Sequence, residues 1–402
     1  PGALDDVLTG GQAPDATGAV SIGEFDTPYR NGVIAENGFR AFTASLKLSG
    51  VAPVVTSADD SGIWKQDSAL SNSLKLLARE GSADPEAAGL FAQFAQNPVP
   101  TINDEGQVTF RGTLSLAGPV TAANDTGVWS EIGGGGLNLI LREGEELSSG
   151  GPTVANLDFS AYATAATAAY KGEAAMAIKL NPAPNDSAVV RISVDDNANT
   201  RAISVLARQG TASSRGPNFG NLAGGYSDPR MDAQGNIAFA ALIGSSESLW
   251  YQPVVGGPLV SVFAAGDAAP DTDTNGAAND ANFSGMDMPS MGSGGVFCFR
   301  GQLASTPGSD NADGKRNDGI WRGTVGGGFT CILRRGDDNS IRPGLFDADT
   351  LLAYPNVKVS NPWSGWLTNA NNGAWRAWLD LDGDGVAGTR TGENDIHALF
   401  AD

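Results

Sequence analysis

The chain is poor in the residues on which most local chemistry depends. Its 402 residues include one histidine, His397, and two cysteines, Cys298 and Cys331. A lone histidine, expected within a strand, excludes Ser-His-Asp and Cys-His systems unless His397 itself serves. Two cysteines make neither a disulfide scaffold nor a zinc spacing. There is no GxSxG, P-loop, dinucleotide fingerprint, HExxH or haem-attachment CxxCH. No run of about 18 apolar residues occurs, so no transmembrane helix is expected. Positive charge is scarce: 25 Lys and Arg stand against 45 Asp and Glu, a net charge of −20. Nucleic acid and anionic membranes need a basic footprint and are excluded as partners. The balance suits a cation-rich extracellular setting. The chain begins at Pro1, reads as processed or trimmed, and carries no legible signal peptide or C-terminal anchor.

What is present is glycine, 54 residues of it, and 41% hydrophobic residues, enough for a packed core. Short apolar runs broken by Gly, Asn, Asp and Pro read as all-β. The runs also repeat. Phrases ending in glycine recur as "LKLLAREG", "LNLILREG", "ISVLARQG", "VFAAG" and "TCILRRG", with "VLTG" at the start as a truncated copy. Their glycines are Gly10, Gly81, Gly144, Gly210, Gly266 and Gly336, spaced by 71, 63, 66, 56 and 70 residues. Before each complete copy stands a phrase such as "GFRAF", "GQVTF", "GEAAM", "GNIAF" or "GVFCF". Between the two lies a third, such as "DDSGIW", "NDTGVW", "NDSAVV" or "NDGIW". In "GQVTFRGTL", Val108, Phe110 and Leu114 fall on one face and Thr109, Arg111 and Thr113 on the other, the period of two of a strand. A shorter segment after each glycine is expected to be an outer edge strand. The unit is thus about 65 residues with three or four antiparallel strands.

The last unit has its first strand near Trp375–Leu381 and its second near Ile396–Phe400, and then the chain ends. Its missing strands match the N-terminus: "DVLTG", then Ser21–Tyr29 as the edge. Splitting a repeat across the termini locks a closed ring and removes exposed sheet edges. The expected fold is therefore an all-β, six-bladed β-propeller. It forms a single domain over 1–402, with blade six shared between 1–31 and 357–402. An open array with atypical caps is the alternative.

The cadence resembles that of secreted bacterial proteins with tandem NxxGxxAF repeats, followed by "GIW" and a strand ending in "REG". Here the motif stands as "NDEGQVTF" (Asn103–Phe110) and "DAQGNIAF" (Asp232–Phe239), with Ala169 and Met176 as departures elsewhere. The resemblance implies an exported, surface-anchored protein, with no activity to carry over.

Three local signals remain. In "DLDGDGVAG", Asp380, Asp382 and Asp384 hold positions 1, 3 and 5 of a DxDxDG loop, and calcium, a hard cation, wants several such oxygens. Position 12 is Thr391 rather than a bidentate Glu. "DTDTNG" offers Asp271, Asp273 and Asn275 in the same way, and "DNADG" is a weaker third match. The alternative is a solvated acidic hairpin with Asx-turns. Arg79, Arg142, Arg208 and Arg334 each lie two residues before a repeat glycine. Such a ring could hold an anion, but recurrence favours a partner within each unit. The last unit carries extra residues, 354–373, with Trp363 and Trp366, whose flat faces suit a sugar ring; packing between blades is the alternative. Cys298 and Cys331 are expected on strands separated by a third, beyond disulfide reach.

The function expected is that of a calcium-stabilised, extracellular or cell-surface, non-catalytic binding module for a glycan or protein. A structural subunit that assembles with copies of itself is the alternative. A carboxylate-pair glycosidase is a less favoured third, since such pairs leave no local spacing.

Overall fold

The structure is a computed structural model. It describes residues 12–18, 20–26, 32–35, 38–66, 74–85, 89–94, 100–133, 136–157, 161–163, 172–181, 186–195, 200–222, 229–253, 256–270, 281–304, 317–335, 358–367, 373–380 and 397–401. Two compact units divide the chain: Pro1–Gln209 with Asn221–Met231, and Gly210–Gly220 with Asp232–Asp402.

The fold is all-β, as the repeat predicts. In the first unit a hairpin, Gln12–Pro14 and Ser21–Glu24, precedes three sheets. Sheet 1 runs Gly32–Ile34, Arg40–Ser45, Ser61–Gln66, Leu74–Arg79. Sheet 2 runs Phe91–Phe94, Val108–Leu114, Thr126–Ser130, Asn138–Arg142. Sheet 3 runs Thr153–Asn156, Gly172–Asn181, Asp186–Asp195, Thr200–Arg208. The second unit holds the remainder. Sheet 4 has Ile237–Ile243, Ser246–Gln252 and Val260–Ala264. Sheet 5 has Phe283–Met291, Val296–Leu303, Asp318–Thr324 and Gly328–Arg334. Sheet 6 has Lys358–Leu367, Gly373–Asp380 and His397–Ala401. Every pairing is antiparallel: sheets 1, 2, 3 and 5 are meanders of edge, first, second and third strand, sheet 4 is completed by the short edge Arg230–Met231, and sheet 6 shows edge, first and second strands among the described residues. Residues 1–11, which closure of a ring would use, lie outside the described residues.

The segment after each repeat glycine does not serve its own sheet, contrary to the expectation. It crosses to the next. The glycine N–H donates to the carbonyl of the residue that opens the next edge: Gly81 to Phe91 at 2.7 Å, Gly144 to Val154 at 2.8 Å, Gly210 to Phe219 at 2.8 Å, and Gly266 to Phe283 at 2.7 Å. These glycines have φ of +77°, +78°, +81° and +97°, a region costly for residues with a Cβ, which is why the phrase ends in glycine. The residue reached then pairs with the end of the new first strand: Phe91 with Leu114, Phe219 with Ile243, Phe283 with Leu303. Phe25 pairs with Leu46 in the same way, so Ser21–Phe25 lies against sheet 1 and is not an edge of the last sheet.

That crossing explains the tryptophans of the "GIW" phrases. Each is buried and receives the incoming phenylalanine: Phe25 on Trp64 at 5.1 Å, Phe91 on Trp129 at 4.9 Å, Phe219 on Trp250 at 4.9 Å, Phe283 on Trp321 at 5.0 Å between ring centroids. Phe42, Phe110 and Phe299 of the first strands stack on the same indoles. Edge-on and stacked aromatic pairs add about 0.5–1.5 kcal/mol each to area burial. In sheet 3 aliphatic residues replace the trio, with Val154, Met176 and Val190 in the core. Its strands Gly172–Asn181 and Asp186–Asp195 are buried on both faces, so their sequences do not alternate.

The first strands of sheets 2 and 4 open, at their other end, from an Asx-turn. Asn103 Oδ1 accepts from the N–H groups of Glu105 and Gln107, and Asp232 Oδ1 from those of Gln234 and Asn236. Gly106 and Gly235 follow at φ +74° and +85°. A side chain on Gly106 would meet the Phe39 ring at 2.8 Å. The repeated N/D-x-x-G is therefore a turn whose glycine also lets a neighbouring side chain approach.

Candidate functional site

In each sheet the two ends differ. The Asx-turn end is repeated in form. The end where the first strand finishes is not: its first-to-second connections are 46–60, 115–125, 182–185, 244–245, 304–317 and 381–396. Binding residues concentrate on such connections when a rigid scaffold holds them.

Asp380 is the last residue of its strand, and Asp382 and Asp384 follow in the connection to His397, outside the described residues. Asp271, Asp273 and Asn275, and the Asp310–Gly314 match, also lie outside them. Among the described residues no group of three or more His, Cys, Asp or Glu could hold a metal. The backbone nevertheless fixes where these segments leave the sheets. Loop 381–396 starts where the first strand of sheet 6 ends, and 271–280 runs into Phe283, which pairs with Leu303 at the matching end of sheet 5.

Residues 354–373, expected as an extra segment before the first strand, contain a ten-residue edge strand, Lys358–Leu367. Trp366 pairs with Ala374, and Trp363 sits in an irregularity between the Pro362–Ala377 and Ser364–Arg376 pairs. Lys358 pairs with Asp380. From Ala374 to Asp380 at about 3.4 Å per residue is about 20 Å. Trp366 and Asp380 thus sit toward opposite ends of sheet 6. His397 lies in a strand, as expected, opposite Trp378.

Three of the four recurrent arginines are seen to pair within their own sheets. Arg79 Nε donates to the Asp59 carbonyl at 2.7 Å and its Nη2 to Asp59 Oδ2 at 3.0 Å. Arg142 Nε donates to the Asn124 carbonyl. Arg208 is paired with Asp186 through Nε and Nη2. Each clamp ties the third strand to the residues before the second. Burial pushes the Asp59 carboxyl up, but the Thr56 N–H and hydroxyl and the Arg79 guanidinium outweigh it and hold it below the usual carboxylate range. Hydrogen bonding to Asp186 raises Arg208. Arg334 is buried. The recurrence reports a clamp, not an anion site.

One charged cluster escaped the sequence reading. Glu173, Arg191 and Ser193 of sheet 3 are all buried; Arg191 Nη1 is bonded to Glu173 Oε2, and Ser193 Oγ donates to Oε1 at 3.0 Å. Burial raises the Glu173 carboxyl, with Arg191 and Ser193 opposing. Both carboxylate oxygens are engaged within the sheet, so the group ties the first and second strands of sheet 3 together. The signal was Arg191 standing alone in the apolar run "AVVRISV". Lys65 makes a second internal pair, with Glu131 at 2.7 Å, and also donates to the Gly106 carbonyl. Cys298 and Cys331 are buried and form no disulfide, with Asp318–Thr324 between their strands as expected. Burial pushes the Cys298 thiol up to about 12.

A meander of repeated sheets with structural charge pairs defines a repeat-built all-β protein. The chain belongs to a family of unknown function, DUF7453, whose model matches twice, over residues 2–175 and 171–385. No curated protein matches. Solved structures similar to it include polysaccharide lyase Uly1, at 9% identity and TM-score 0.40, covering 94% of this chain and 77% of that one. A putative 6-phosphogluconolactonase from Bacteroides fragilis is similar at 10% identity and TM-score 0.35, covering 95% and 89%. TolB from Acinetobacter baumannii is similar at 12% identity and TM-score 0.29, covering 69% of this chain; the chain spans about half of TolB, 51%.

Proposed function

We propose that the chain is an exported, non-catalytic binding module of the β-propeller type. Its repeated sheets are scaffold, and its unequal first-to-second connections carry recognition. The observation behind this reading is the asymmetry within each sheet. At one end the same turn recurs, Gly38, Gly106 and Gly235 each donating to the carbonyl three residues back, while connections at the other end range from 244–245 to 381–396. A structural requirement recurs with the repeat; a ligand requirement does not. The charged groups described above are spent on clamps and internal pairs, which fits binding better than catalysis. The NxxGxxAF resemblance supports a cell-surface or extracellular location.

Calcium is proposed to order the acidic connections, with Asp380, Asp382 and Asp384 in one and Asp271, Asp273 and Asn275 in the other. Trp363 and Trp366 are proposed to take a glycan. Trp366 and Asp380 stand toward opposite ends of sheet 6, so the two proposed sites are expected to titrate separately. Isothermal titration with calcium, before and after Asp382→Asn with Asp384→Asn, tests the first. A glycan array with Trp363→Ala and Trp366→Ala tests the second. Calcium heat unchanged by the aspartate variants, or no glycan retained by the parent chain, overturns the corresponding half.

A further inference from the structure

The outer edge of sheet 3 differs from its counterparts. In sheets 1 to 5 one residue of the third strand faces the "GIW" position: Leu76 faces Trp64, Leu139 faces Trp129, Val205 faces Val190, Ser261 faces Trp250 and Cys331 faces Trp321. Cys331 is buried, and three of the other four are covered from outside. The Leu76 N–H donates to the Asp15 carbonyl at 3.1 Å. The Leu139 carbonyl accepts from Arg201 Nη1 at 2.8 Å. Ser261 Oγ accepts from Arg215 Nε at 2.8 Å. Asp15 and Arg215 both stand five residues after a repeat glycine. The same place before sheet 3 is Ser149, in the exposed turn "SSGG", which has no long side chain to reach across.

Val205 is accordingly 46% exposed, and the strand Thr200–Arg208 is the most exposed third strand described. It is nine residues long and contains no Pro, Gly, Lys, Asp or Glu. Those are the devices that normally blunt a sheet edge. Its two charges, Arg201 and Arg208, lie near its ends and are held by Glu145 and Asp186. Leu76 and Leu139 direct backbone groups away from their sheets at the position of Val205. By the period of two, residues 201, 203 and 205 do so here; the bulge between Val189 and Val190 turns Ala207 back toward its own sheet.

We infer that this edge pairs with the same edge of a second copy of the chain, antiparallel, about a two-fold axis at Ser204. That register sets Ile203 opposite Val205 and Ser204 opposite its own copy, with the bulge after Val205 ending the ladder. Outward-facing residues meet outward-facing residues, as the ladder requires. Apolar faces apolar and no arginine faces an arginine, although the whole chain carries −20. A foreign extended strand would satisfy the backbone but is not called for by this self-matching sequence.

The test is sedimentation equilibrium of the full chain from micromolar to hundreds of micromolar. A mass rising toward twice 41.1 kDa is expected. Val205→Pro removes only an outward N–H, so it should keep the circular dichroism spectrum and weaken association at least tenfold. Ser204→Cys should give a disulfide-linked dimer on mild oxidation, since non-hydrogen-bonded opposite residues lie close; Cys298 and Cys331 are buried and do not compete. A 41.1 kDa species throughout, or association unchanged by Val205→Pro with no Ser204→Cys dimer, overturns the inference. Neither outcome bears on the proposed glycan or calcium sites.

Discussion

The indole N–H of Trp321 donates to the carbonyl oxygen of Pro270 at 2.8 Å. Trp64 makes the same bond to Pro14 at 3.1 Å. Pro14 and Pro270 belong to the two copies of Ala-Pro-Asp, each a few residues after a repeat glycine. That phrase is thus a hook: it brings a carbonyl from one repeat onto the tryptophan of the next sheet. Trp129 Nε1 is buried without a hydrogen bond among the described residues. Trp321→Phe should therefore cost more than Trp129→Phe, by about 1 kcal/mol for the bond. Trp321→Ala should cost about 3–5 kcal/mol. Guanidinium unfolding of the three variants measures the difference.

Gly106→Ala should be among the worst single-methyl changes. Its φ of +74° costs about 1–2 kcal/mol for an L-residue, and overpacking against Phe39 adds about 1–3. Gly118, at φ +60° with open space around it, should show only the first cost. Thermal melts of the two alanine variants compare them directly.

Asp59 links stability to acid. Its carboxyl is held below its unfolded value, so its contribution is present above about pH 4 and fades as pH falls through the folded value. Asp59→Asn should lower the melting temperature at neutral pH. The gap between variant and parent should close toward pH 3, to be followed by melts at stepped pH.

The thiols should be silent in the folded chain. With Cys298 raised to about 12 and both cysteines buried, a disulfide-exchange reagent at pH 8 should find no reactive thiol in the native protein and two in denaturant. Rapid native reaction of either would mean an opening the packing does not predict.

The repeat unit, its strands and the buried thiols were legible because alternation, turn residues and spacing are local. Neighbourhood was not. Period two says which residues share a face but not which sheet that face serves, so the segments ending at Phe25 and Phe91 were given to the wrong sheet. The arginines were legible as structural by recurrence, and Asp59, Asn124 and Asp186 supply the partners. Glu173 and Arg191 were not seen because nothing local distinguishes a buried pair from a solvated one. Trp363 and Trp366 were read as part of an extra segment before the first strand because Pro362 and Gly365 disguise a bulged edge strand.

The crossing of each glycine-led segment onto the following sheet has a consequence for ancestry. A stretch cut from Gly10 to Gly81, or from Gly266 to Gly336, carries its own hook and its own receiving tryptophan. Duplicating or deleting such a stretch leaves every junction with a partner. The lineage could lengthen or shorten by whole units without having to invent a contact, and its breakpoints should be sought at those glycines, not at the borders of the sheets.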